Sequence, residues 1–152
     1  MIKVNLITDS VNWRIKIPNL KKYFKKRLIK LSKINAFKDK KHELSILLTN
    51  NRKLRILNKK FRNKNNVTDV LSFPLRNLSK RKNYIGDIAI SYEIINKRSK
   101  KTDFNFEFDR IWIHGYLHLI GYNHIKNNEY KKMIIKEREI LKKLDHKYNL
   151  QT

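Results

Sequence analysis

The chain has 152 residues, of which 37 are Lys or Arg and 13 Asp or Glu, so its formal charge is +24. The length suits one domain spanning residues 1–152, and 40% apolar residues is too many for a disordered basic tail. No cysteine is present, which excludes a disulfide scaffold, thiolate metal ligands and a cysteine nucleophile. The basic excess has two explanations. The chain carries 27 Lys, 20 Ile and 18 Asn, all with A/T-rich codons, so base composition inflates them. The shortage of acids is not explained that way, and a strong positive field attracts polyanions, nucleic acid before a membrane surface.

Ile2, Val4 and Leu6 alternate along a first strand, and the start lacks the apolar core of a signal peptide. Pro18 opens a helix whose apolar positions are Leu20, Tyr23/Phe24, Leu28, Leu31 and Ile34, with lysines between them. Glu43 to Thr49 (ELSILLT) reads as a buried strand. Thr49 or Asn50 caps the next helix, whose apolar face is Leu54, Leu57 and Phe61. After a turn at 63–66, the segments 67–75 (VTDVLSFPL) and 84–91 (YIGDIAIS) read as two strands, antiparallel across the basic loop 76–82. Helices follow at about 92–101, 106–121 and 127–146. The longest apolar stretch, Ile111 to Tyr122, is too short to span a bilayer. The order βαβαββααα predicts an α+β fold: a small mixed β-sheet packed with several helices, in a cytoplasmic protein without a membrane segment.

One segment carries chemistry. In IHGYLHLIGYNH, His114 and His118 are four residues apart. On a helix that is about 40° of rotation, so both imidazoles leave one face. Gly121 can end the helix in the left-handed conformation and let the chain return His124 to the pair. Phe108, Ile111, Trp112, Ile113, Leu117 and Leu119 surround the histidines, so the helix is buried. A lone core histidine is usually just hydrogen-bonded; three at this spacing point to a metal. Three imidazoles without a thiolate suit zinc, one ion, with an open position for water whose pKa it lowers toward about 7. The spacing is that of the zinc-protease signature HExxHxxGxxH, but Gly115 stands where that chemistry needs its glutamate base. His42 and His146 lie in polar sequence and read as solvated side chains.

The histidine segment resembles HGxLHLxGYDH of the YbeY family, the bacterial rRNA maturation factors described as zinc-dependent, single-strand-specific endoribonucleases. Leu57-Asn-Lys-Lys-Phe-Arg62 with Thr68-Asp-Val-Leu-Ser-Phe-Pro74 resembles the family's LNxxYR…PTDVLSFP, and Ile85-Gly-Asp-Ile-Ala-Ile-Ser91 its LGDIxIS. The likeness runs from about residue 44 to the last helix. It implies zinc on His114, His118 and His124, a functional arginine at Arg62, and a role in maturing the 3′ end of 16S rRNA and in ribosome quality control, with rRNA and ribosomal particles as partners. Val67, Phe61 and Asn123 replace the family's proline, tyrosine and aspartate. If that aspartate orients a ligand, Asn123 keeps a hydrogen bond and loses a charge.

On this reading Arg62 pairs with phosphate oxygens through its planar fork. Without the resemblance it reads first as an exposed helix-end arginine next to a turn. Asn123, Asp69 and Asp87 are candidates for holding the metal ligands, and the two aspartates are alternatively hydrogen-bonded strand-end carboxylates. Trp112, Phe104, Phe106 and Phe108 read as core before base-stacking platforms. The loop 76–82 (RNLSKRK) reads as an RNA contact or as a solvated loop. Two other functions stay open: a ribosome-assembly factor whose zinc is structural, and a metal-dependent peptidase.

Overall fold

The computed structural model describes residues 1–75 and 82–146. The elements are β1 (Lys3–Thr8), α1 (Val11–Lys16), α2 (Leu20–Leu31), β2 (Glu43–Thr49), α3 (Asn51–Arg62), β3 (Val70–Pro74), β4 (Tyr84–Ser91), α4 (Tyr92–Arg98), α5 (Phe104–Leu119) and α6 (Asn127–Lys143). The strands form one sheet in the order β1-β2-β4-β3. β1, β2 and β4 are parallel, and β3 runs antiparallel to β4 along the edge, with Phe73 opposite Asp87. The fold is α+β with a mixed sheet, as the order of elements predicts. Six residues of the basic loop, 76–81, lie outside the described part.

Local chemistry sets the element ends. Asn19 caps α2 by accepting from the Lys22 amide at 2.9 Å, and Asn50 caps α3 by accepting from Lys53 at 3.0 Å. Asp103 does the same for α5. At the far end of α3, Asn63 takes a left-handed conformation (φ 54°) and stops the helix directly after Arg62.

One face of the sheet, through Leu44, Ile46, Leu48, Ile88 and Ile90, packs on Phe24, Phe108, Trp112, Ile113 and Leu117 of the helices. The other face is covered by α3 at Leu54, against Leu71 and Ala89. β3 therefore divides its side chains: Leu71 packs with the α3 cluster, while the Ser72 hydroxyl donates to the Gly115 carbonyl of α5 at 3.2 Å.

Two expectations are corrected. The sequence pattern shows no helix before Pro18, but α1 is there. It is six residues long and exists to bury Trp13, whose indole N–H donates to the Thr49 carbonyl at 2.9 Å. A segment with one buried residue has no periodicity to detect. His42 and His146 are not solvated. His42 Nδ1 lies 2.8 Å from the Tyr116 hydroxyl, and burial lowers its pKa, helped by Lys40. His146 Nε2 lies 2.6 Å from the buried Asp109 carboxylate, which also accepts from Arg27 (2.7 Å), Tyr23 (2.8 Å) and Trp112 (2.8 Å). Their partners are 74 and 37 residues away, beyond any local pattern.

Candidate metal centre

α5 is apolar almost all round and is buried along most of its length. His114 and His118 sit on the stripe of it that reaches solvent. The helix ends at Ile120, Gly121 takes φ 105°, and the Tyr122 amide bonds back to the Leu117 carbonyl at 3.0 Å. That return brings His124 beside the pair. One ligand atom from each of the three imidazoles lies within 4.8 Å of the others.

The hydrogen bonds orient the rings. His114 Nδ1 faces Glu137 Oε1 of α6 at 2.5 Å, and His118 Nδ1 faces the Tyr122 carbonyl at 3.0 Å. Each acceptor faces Nδ1 of its ring, so the Nε2 atoms of both rings point into the cluster, 3.1 Å apart. Burial, then the neighbouring imidazoles of His114 and His124, push the His118 pKa down to about 4, so this ring is neutral near pH 7. Two ring nitrogens this close need a proton or a metal cation between them. The nitrogen donors, their convergence and their oriented Nδ1 protons fit a borderline-soft divalent ion.

The histidines open into a hollow of about 610 Å³ whose walls include Arg62, Lys64, Thr68, Asp69, Ser72 and Asn123. Arg62 is exposed and donates to the Ser72 carbonyl at 3.1 Å. This engages one of five N–H donors and aims the fork along the β3 edge. Asp69 lines the hollow, but its carboxylate is occupied: Arg98 pairs with it at 2.6 Å, and the Val70 amide donates to it at 2.8 Å. Asn123 Oδ1 accepts from the His124 amide at 2.9 Å, so it shapes the returning loop. Asp87 is elsewhere. It is exposed in β4, bonded by the Tyr84 hydroxyl, and lines a different hollow. Trp112, Phe106 and Phe108 are core residues.

Glu137 is the residue that sequence reasoning passed over. It lies 23 positions beyond His114. Its signal was present: a carboxylate on the otherwise apolar stripe of α6, in line with Met133 and Leu141, which are buried. Gly115 also gains a reason. A Cβ there would come within 3.0 Å of two Ile88 carbons and 3.3 Å of Ser72 Oγ. Position 115 faces the sheet, so a glutamate would collide with β4 instead of standing free in the hollow.

These features define a class of α+β proteins with a three-histidine cluster able to hold a metal ion at the open end of a buried helix. Residues 7–145 match the model of the family described as endoribonuclease YbeY, and the chain belongs to that family. It is 44% identical over 147 residues to a protein of Pelagibacter ubique named endoribonuclease YbeY, covering 94% of this chain and 95% of that one. A relative of the same name from Neorickettsia sennetsu is 35% identical over 140 residues, covering 91% and 94%. Among solved structures, a Thermotoga maritima protein determined in solution superposes with a TM-score of 0.64 at 25% identity, covering 95% of this chain and 89% of that one. Among the described residues no helix is long and apolar enough to cross a membrane.

Proposed function

We propose that the protein is a zinc-dependent, single-strand-specific endoribonuclease of one domain. It acts in the cytoplasm on rRNA, in maturation of the 16S 3′ end and in quality control of ribosomal particles. Endoribonuclease activity is what its relatives are named for. The observation that carries the reading is the placement of Arg62 and three convergent imidazoles in one hollow.

His114, His118 and His124 would hold the ion. When bound, it supplies Lewis acidity toward a phosphate oxygen and acidifies a water. The rest is done by side chains. Glu137 and the Tyr122 carbonyl hold the Nδ1 protons of His114 and His118 and so keep their Nε2 atoms inward. Arg62, steadied by the Ser72 carbonyl, grips the phosphate and balances charge that grows on its oxygens during hydrolysis. Arg98 neutralises Asp69, which would otherwise repel the RNA backbone. The +24 charge gathers the polyanion without choosing the bond that is cut. Gly115 leaves no room for a peptidase base, which counts against peptide hydrolysis.

The test is His114→Ala, assayed for cleavage and for binding of a single-stranded oligoribonucleotide. Loss of cleavage with a folded protein that still binds RNA supports the reading. An unfolded variant would instead make the metal structural, and undiminished cleavage would remove the reading. Binding should weaken with salt at a log–log slope of about −0.7 per phosphate neutralised. A flat response would return the lysine excess to codon bias.

A further inference from the structure

Aromatic platforms for a nucleic-acid base must be reachable, and Trp112, Phe106 and Phe108 are not. Phe61 is. It occupies the third apolar position of α3 after Leu54 and Leu57, yet it is 59% exposed. Its ring meets that of Phe73 edge to face, with centroids 5.3 Å apart. Both rings border a hollow of about 550 Å³ on the outer face of the sheet, whose other walls include Leu47, Leu57, Tyr84 and Asp87. Pockets of this size take a small planar ligand with room to spare.

Two features say what that ligand is. The first is continuity. Phe61 and Phe73 are the chain neighbours of Arg62 and Ser72, which line the histidine hollow. The two hollows therefore share one wall, made by the end of α3 and by β3. The second is charge. Cations stand beside the platform: Lys60 Nζ is 5.3 Å from the Phe61 ring centroid, and Arg62 and Lys64 line the adjoining histidine hollow. The interior is apolar apart from the Tyr84 hydroxyl with Ser45 and Asp87. A carboxylate inside repels a phosphate but accepts from the exocyclic amine of a base.

We propose that this hollow is a nucleobase subsite. It receives one unpaired base of an RNA strand whose adjoining phosphate lies on Arg62, with Phe61 as the stacking surface and Phe73 behind it. The subsite rests on the reading of RNA as substrate, and it deepens it. A base can enter only when unstacked and unpaired, so the subsite gives a physical source for preference for single strands.

The test uses full-length protein and a short single-stranded oligoribonucleotide, with Kd read by fluorescence anisotropy. Phe61→Ala should weaken binding about 5- to 100-fold, the range found for removing one stacked base contact. Phe61→Trp should restore it. Replacing one nucleotide by an abasic one, scanned along the strand, should at one position cost wild type a similar factor and cost Phe61→Ala almost nothing more. Thermal melting checks that the variants fold, which the exposure of Phe61 favours. If Phe61→Ala and wild type bind alike, or the two penalties multiply at every position, the subsite is overturned while RNA binding stands; the hollow then serves another occupant, such as a protein segment. If wild type binds no oligoribonucleotide, the RNA reading falls and takes the subsite with it.

Discussion

Two carboxylate–histidine pairs tie α5 to the C-terminal part of the chain, and they differ in one respect. At Asp109 the carboxylate is fully buried and receives Arg27, Tyr23, Trp112 and His146. Those four side chains occupy both oxygens of the carboxylate. At His114 the carboxylate of Glu137 takes one ring nitrogen and leaves the other facing two more imidazoles. Both are polar groups on one apolar helix. The first is closed on itself; the second is open and is the one proposed here to hold the metal. Unspent coordinating capacity, not polarity or burial, marks the site.

Breaking each side should give opposite readouts. Replacing His118 by Ala should lower cleavage by about 10³-fold or more, since a catalytic ion supplies several kcal/mol, and should leave the melting temperature nearly unchanged in metal-free protein. Cleavage of an oligoribonucleotide beside a melting curve checks both. Asp109→Ala should do the reverse. It strips the partner from the partly buried Arg27 and should cost about 3–5 kcal/mol of stability by urea unfolding. Zinc affinity of the fraction that stays folded should be unchanged. If Asp109→Ala loses metal while fully folded, the division between the two assemblies is wrong.

Glu137→Ala should weaken zinc binding about 10- to 100-fold in chelator competition, with Glu137→Gln intermediate, because an oriented Nδ1 proton makes His114 a better ligand. Equal affinity would reduce Glu137 to a packing role. The smallest effect is expected for Asn123→Asp. Asn123 bonds the His124 backbone, so restoring the family's aspartate should shift zinc affinity by no more than about 0.5 kcal/mol. A tenfold gain in the same competition would give position 123 a direct part in the site.

The histidine site was legible to the extent that its geometry is local. The i, i+4 pair and the glycine turn lie within 11 residues: helix periodicity brings His114 and His118 together, and the turn at Gly121 adds His124. The strands, the long helices and the antiparallel β3–β4 pair were readable from patterns of the same range. What depended on tertiary packing was not. Glu137 reaches His114 only because α6 lies against α5, and His146 finds Asp109 for the same reason. Asp69 and Asp87 look equivalent in sequence, yet the sheet places one in the histidine hollow and the other beside Phe73 and Tyr84. Phe61 reads as a third core position of α3, and only the packing around it shows that it stays 59% exposed.

The most direct test is restoration of activity by metal. Wild-type protein is stripped with a chelator, dialysed, and assayed on a single-stranded oligoribonucleotide as zinc is added back in fractions of an equivalent. The account predicts no cleavage by the stripped protein and recovery that saturates at one zinc per chain, with His114→Ala inactive throughout. Full cleavage by the stripped protein, or recovery that the His114→Ala variant shares, would contradict it.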